Sequence, residues 1–207
     1  MSLCLCVSVV CGPWLSSAVA NQLLDRVVAR VGGTAITQSD VEAALALGIV
    51  EGDSGADRLS AGTRQMIERR LLLTEVSRFP PAEPSPAVTA ELVARMKVRA
   101  GAGFDALMKR TGLDEQRLRE LARDTLRIQA YVEQRFGTTT QATAQEAREY
   151  YDAHQQEFAR DGVTPPFDAV EGAARQAASA ERRRRTIAQW VDELRTRGDV
   201  VEVRSRP

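Results

Sequence analysis

The chain has 207 residues, with 28 lysines and arginines against 28 aspartates and glutamates. That length supports one helical domain with a sizeable core and room for an extension, and the even charge balance excludes the basic face that a phosphate-binding nucleic-acid partner requires. Aromatic residues make up 5% of the chain, too few for a base-stacking platform.

The first segment, Met1 to Ala20, carries no charge. An apolar run from Leu3 to Cys11 is followed by Gly12-Pro13 and then by Ala18-Val19-Ala20. An apolar stretch ending in A-x-A is the pattern of a secretory signal, here with cleavage expected after Ala20. The run is too short to span a bilayer comfortably, and an uncleaved anchor is the alternative reading. Cys4, Cys6 and Cys11 all lie inside it. A chain cleaved there has no disulfide, no thiolate nucleophile and no cysteine-ligated metal, so packing alone must hold it.

Val27, Ala29 and Val31 alternate with Val28 and Arg30, the period of a strand. Gly32-Gly33 suits a tight hairpin turn, and Thr34-Ala35-Ile36 is the return strand. Thr37 precedes Asp40 by three positions, a capping-box start for a helix over Gln38 to Leu47 that Gly48 ends. After an acidic loop, Glu51 to Asp57, a second helix is expected from about Leu59 to Arg78, with Met66, Ile67, Leu71, Leu72 and Val76 on one face. Pro80, Pro81 and Pro84 stop it, and Ser85-Pro86 restarts a helix with a cap and a proline at its first position. That third helix carries Val88, Leu92, Val93 and Met96. Gly101 and Gly103 separate it from a short helix with Phe104, Leu107 and Met108 that ends at Gly112.

A long helix follows from about Asp114 to Phe136, with Leu118, Leu121, Thr125, Ile128 and Val132 as its stripe. Thr143-x-x-Glu146 opens the next helix, which is expected to hold Tyr150, Tyr151 and Phe158. Ala159 to Pro166 is a polar loop. The longest helix runs from about Phe167 to Arg197, with Phe167, Val170, Ala174, Ala177, Ile187, Val191 and Leu194 on its buried side, Trp190 nearby and Gly198 at its end. Asp199 to Val203 reads as a final strand. A lone short strand is unstable, so the hairpin near Asp25 to Ile36 is its expected partner, which brings the two ends of the domain together.

This order resembles the periplasmic chaperones of the SurA type and the related parvulin-type prolyl isomerases. The likeness rests on an ordered set: the hairpin, the Met66-Ile67-Glu68-Arg69-Arg70-Leu71-Leu72 segment, and a long helix ending in Tyr131-Val132-Glu133. It continues through Glu146-Ala147-Arg148-Glu149-Tyr150-Tyr151, the Trp190 to Arg195 segment and a closing valine-rich strand. It covers residues 21–207. The resemblance implies a mainly α, SurA N-domain and trigger-factor-like multi-helix fold, with a small sheet made by the N-terminal hairpin and the C-terminal strand. The function it implies is binding of unfolded or partly folded envelope polypeptides in the periplasm, with no cofactor.

One departure concerns catalysis. In the isomerase relatives a parvulin domain of about 100 residues sits between the Tyr-Tyr…Phe helix and the closing helix. Here about eight residues, Ala159 to Pro166, fill that place. The parvulin site also uses paired histidines with a cysteine or aspartate, whereas His154 is this chain's single histidine. The resemblance therefore carries over the chaperone frame and not the isomerase. A dedicated adaptor that holds one partner of an envelope complex is the alternative binding module, and a prolyl isomerase is the disfavoured enzyme reading.

The other candidate sites reduce to structure. His154 beside Asp152 and Glu157 reads as a surface histidine. Gly32-Gly33 has no following phosphate-loop pattern and reads as a turn. Arg182 to Arg185 point around the helix rather than along one face, with Glu181, Asp192 and Glu193 nearby, and read as a solvated surface. Val88, Leu92, Met96, Phe104, Leu107 and Met108 admit two readings, ordinary core or a methionine-containing apolar lining that accepts varied client segments. They are the candidate client-binding residues. No oligomeric state follows from the sequence.

Overall fold

A computed structural model describes residues 25–52, 57–137, 141–160 and 162–203. The expected signal segment, Met1 to Ala20, lies outside the described residues.

Among the described residues the architecture is helical, with one small sheet. Strands β1 (Val27–Val31) and β2 (Thr34–Thr37) form the hairpin, and helix α1 (Gln38–Ala46) follows directly. Gly32 and Gly33 have φ of 54° and 78°, the pair of positive values that a two-residue hairpin turn demands and that β-carbon crowding denies to most other residues. The Thr37 hydroxyl accepts from the Asp40 backbone N–H while the Asp40 carboxylate accepts from the Thr37 N–H at 3.0 Å, so the capping box forms as its spacing requires. Helix α2 (Arg58–Arg78) is followed by α3 (Pro86–Ala100), whose Ser85 side chain caps Val88 N–H. A 3-10 turn, Gly101–Gly103, leads into α4 (Phe104–Thr111). Then come α5 (Glu115–Phe136), α6 (Ala144–Ala153), a second 3-10 turn (Gln155–Phe158), α7 (Phe167–Arg197) and strand β3 (Val200–Glu202).

The sheet is antiparallel in the order β2-β1-β3. β1 pairs Ala29 with Ile36 and Val31 with Thr34 on one side, and Ala29 with Glu202 and Val31 with Val200 on the other. The chain therefore closes on itself, with the last strand laid beside the first. Ala29, Val31 and Ile36 are buried on one face of this sheet. They join Val41, Ile67, Leu71, Val76, Tyr131, Phe136, Trp190, Val191 and Leu194 in the main core. α1 and α2 approach closely where Gly62 faces Val41 and Leu45. A β-carbon there would meet the Val41 side chain at 2.8 Å, so the glycine is a packing requirement.

A second core lies at the other end of α1. Leu47, Val93, Met96, Leu107, Leu113, Leu118 and Ala122 pack together from α1, α3, α4 and α5. Helix α5 serves both cores, its first half the second and its last turns the first. This explains why its buried side chains are Leu118, Ala122, Tyr131 and Phe136 rather than the single stripe its periodicity suggests. α7, 31 residues and about 46 Å long, also divides its work. Its C-terminal half docks on α2, whereas its N-terminal half pairs with α6 as a helical hairpin. That hairpin is pinned at both ends: Ala142 N–H donates to Ser179 Oγ at 2.9 Å, and the Tyr151 hydroxyl donates to Pro165 O at 2.5 Å. Tyr151, Phe158 and Phe167 fill its inside with ring centroids 5.5 and 5.7 Å apart.

Candidate functional site

Five of the six candidate residues fall on the rim and floor of the second core. Met96 and Leu107 are buried, at 4% and 3% exposure, and form its floor. Leu92, Phe104 and Met108 are half-buried and lean on that floor from α3 and α4. Val88 is exposed, one helical turn before Leu92. Gly101, at φ 62°, ends α3 and lets the chain turn into α4, and Leu92 and Met96 share a cluster with Leu107. Lys97 Nζ stands 5.4 Å from the Phe104 ring centroid and bonds Glu115 at 2.5 Å, a polar border on that side. The structure thus gathers Leu92, Met96, Phe104, Leu107 and Met108 into one cluster and leaves Val88 exposed outside it.

A concavity lies elsewhere on the molecule. A cleft of about 390 Å3 opens between β2, α1, α2 and α5. Thr34, Ala35 and Ile36 form one wall, Met66, Arg69, Arg70 and Leu73 the second, and Leu113, Leu121 and Asp124 the third. Arg69 donates to Leu121 O at 3.0 Å, and Arg70 donates to Thr34 Oγ1 at 2.7 Å. Burial pushes the Arg69 pKa down, opposed by the nearby Asp124 carboxylate. Sequence reasoning did not single out these arginines. A signal was present: positions three and four residues away from each hold Gln65, Met66, Ile67, Leu72, Leu73 and Thr74, so neither has the acidic helical neighbour that usually marks a solvated arginine.

The remaining polar candidates are structural. His154 closes α6: its backbone N–H bonds Tyr150 O, its Nδ1 lies 2.9 Å from the same oxygen, and its ring stacks on Tyr150 at 4.1 Å. Arg182 and Arg183 pair with Glu146 of α6 and Glu133 of α5, and Arg185 pairs with Glu181 one turn back on α7 itself, so the run does not present one cationic face. Glu146, which also caps α6, is held below the usual carboxylate range by the Thr143 backbone N–H and hydroxyl, with Arg182 adding to the effect. Among the described residues, no cluster of histidine, cysteine and carboxylates could hold a metal ion, and no helix is long and apolar enough to cross a membrane.

No family model and no curated protein sequence matches the chain. A solved structure does. It comes from a study of two structurally related SurA-like chaperones of the human pathogen Campylobacter jejuni, the virulence factor PEB4 and the periplasmic protein Cj1289. The superposition has a TM-score of 0.55 at 10% sequence identity and covers 87% of this chain and 100% of that one. The mainly helical architecture with its end-to-end three-stranded sheet is therefore the fold of a SurA-like chaperone.

Proposed function

We propose that the protein is an exported, non-catalytic chaperone of the bacterial envelope that binds unfolded or partly folded polypeptides. The fold shared with a SurA-like chaperone over 87% of the chain carries this reading. The apolar patch on α3 and α4 supports it. Its floor of Met96 and Leu107 is buried, and its half-buried rim of Leu92, Phe104 and Met108, with exposed Val88 one turn before Leu92, leaves apolar surface for a client segment. Burial of apolar surface has no directional requirement, which suits a binder of varied sequences, and methionine adapts its shape to them. The apolar run before Ala18-Val19-Ala20 supports export, with the mature chain starting at Asn21. N-terminal sequencing of protein taken from the envelope should begin at Asn21; a cytosolic protein beginning at Met1 refutes export.

The decisive test uses one purified sample for two measurements. Light scattering of a diluted unfolded membrane-type protein should fall in the presence of excess chaperone. The cis-to-trans rate of a prolyl peptide should stay at its uncatalysed value, because the short connection from Phe158 to Phe167 and the lone His154 supply neither the space nor the residues of a parvulin site. Acceleration of that rate overturns the non-enzyme reading. Undiminished client aggregation favours the dedicated adaptor. The Phe104→Ser, Met108→Ser double variant should keep its helical signal and lose about three-quarters of its protection, since each removes apolar contact worth about 1–2 kcal/mol. A variant that unfolds places both side chains in the core instead.

A further inference from the structure

We propose that the cleft beside β2 is a second, sequence-selective client subsite. There an extended polypeptide adds a fourth strand at Ala35 and places an acidic side chain against Arg69 and Arg70. The inference rests on the client-binding reading above but names a different surface and a narrower ligand.

The register shows which edge is open. Gly32 N–H donates to Asp199 O and Val203 N–H donates to Val28 O, so the even-numbered residues of β1 bond towards β3. The odd-numbered ones therefore face β2, where Val31 pairs with Thr34 and Ala29 with Ile36. Ala35 lies between those two, and its N–H and C=O point away from β1 onto the free edge of the sheet. The next outward N–H, that of Thr37, is already taken by Asp40. One unpaired backbone donor and acceptor thus remain, and both sit on the wall of the cleft. Strand addition at such an edge is a recurrent mode of peptide recognition, with backbone bonds for affinity and alternate side chains for specificity.

The charge in the cleft selects the side chain. Of its carboxylates, Asp40 and Asp114 cap helices, Glu120 pairs with Arg117, and Asp124 lies 3.7 Å from Arg127 and also acts on Arg69, which leaves Arg70 the freer cation. Arg69 and Arg70 have no carboxylate within ion-pair distance among the described residues; their bonds go to the Leu121 carbonyl and the Thr34 hydroxyl. A guanidinium has five N–H donors, so both retain capacity for a carboxylate. Thr34 and Ile36 share the face of β2 that meets α2. An added strand presents alternate side chains to the same helix, and Met66 and Leu73 lie beside the arginines there. The fitting occupant is an extended segment with an acidic residue two positions from an apolar one.

The experiment measures fluorescence anisotropy of short extended peptides, acetylated and amidated so that no terminal charge contributes. One carries glutamate with leucine two positions away, and its counterpart carries glutamine. The glutamate peptide should bind about ten-fold more tightly, and the preference should vanish in Arg70→Gln. N-methylation of the peptide backbone beside the glutamate should abolish binding without touching the protein's fold. Equal affinity of the two peptides, a preference that survives in both Arg70→Gln and Arg69→Gln, or indifference to N-methylation overturns the subsite. Client light scattering on the same samples separates the two readings. Suppressed aggregation without glutamate preference leaves the chaperone and removes this subsite. Glutamate preference without suppression keeps the subsite and removes the general chaperone.

Discussion

Replacing Trp190 by alanine is expected to cost about 3–5 kcal/mol of stability, which for a domain of this size lowers the melting temperature by about 10–15 °C. Trp190 is 7% exposed and sits where three elements meet. Its ring lies 6.0 Å from that of Tyr131 and 5.3 Å from that of Phe136, both on α5, and the Arg135 guanidinium covers it at 5.0 Å. Val191 and Leu194 continue the same contact down α7 towards α2 and the sheet. Truncation removes the largest side chain of this joint and leaves a cavity between helices that few other contacts hold together. Circular dichroism at 222 nm is the appropriate probe, because the mutation removes a tryptophan signal. Trp190→Phe, which retains a ring, should recover more than half of the loss. A change below about 1 kcal/mol in the alanine variant would mean that α7 is held by its N-terminal half instead.

Deleting residues 199–207 should destabilise the whole domain by about 3 kcal/mol, although the segment resembles a disposable tail. The loss has three parts. Backbone pairing between β3 and β1 disappears, at about 0.5–1.5 kcal/mol for each bond. Val200 leaves the edge of the main core. The Arg195–Glu202 ion pair is broken, and its exposed position makes this the smallest part. β1 then becomes an edge strand and keeps only β2 as a partner. Urea unfolding should show a lower midpoint with an unchanged slope for the remaining domain. An unchanged midpoint would show that the hairpin and helices are self-sufficient. Glu202→Gln alone should shift the midpoint by less than about 1 kcal/mol, which separates strand pairing from the ion pair.

Much of the candidate patch was legible because it depends on local pattern. Val88, Leu92, Met96, Phe104, Leu107 and Met108 are apolar at helical spacing between glycine and proline breaks, so their presence in one region follows from sequence. Their division into floor and rim does not. Met96 and Leu107 are buried because Leu47, Leu113 and Leu118 arrive from α1 and α5, elements far apart in the chain. The cleft was illegible for the same reason. Ala35 is an ordinary strand residue and Arg69 an ordinary helical one until α2 is laid across the hairpin.

By itself the sequence determined the elements and their ends. Capping boxes at Thr37 and Thr143, the Ser85-Pro86 start and the Gly32-Gly33 turn each act within a few residues, so their geometry is encoded where they stand. The pairing of β3 with the hairpin also followed, because a short strand cannot persist alone. Tertiary structure decided which helical faces are buried. On α5 the expected stripe of Leu118, Leu121, Thr125, Ile128 and Val132 keeps Leu118 fully buried, but Leu121, Ile128 and Val132 are only partly buried while Ala122, Tyr131 and Phe136 go inside, and on α7 Trp190 turns inward. Periodicity assumes that a helix has one partner along its length. These two helices change partners midway, α5 from α3 to α2 and α7 from α6 to α2, so the buried face rotates with the neighbour rather than with the sequence.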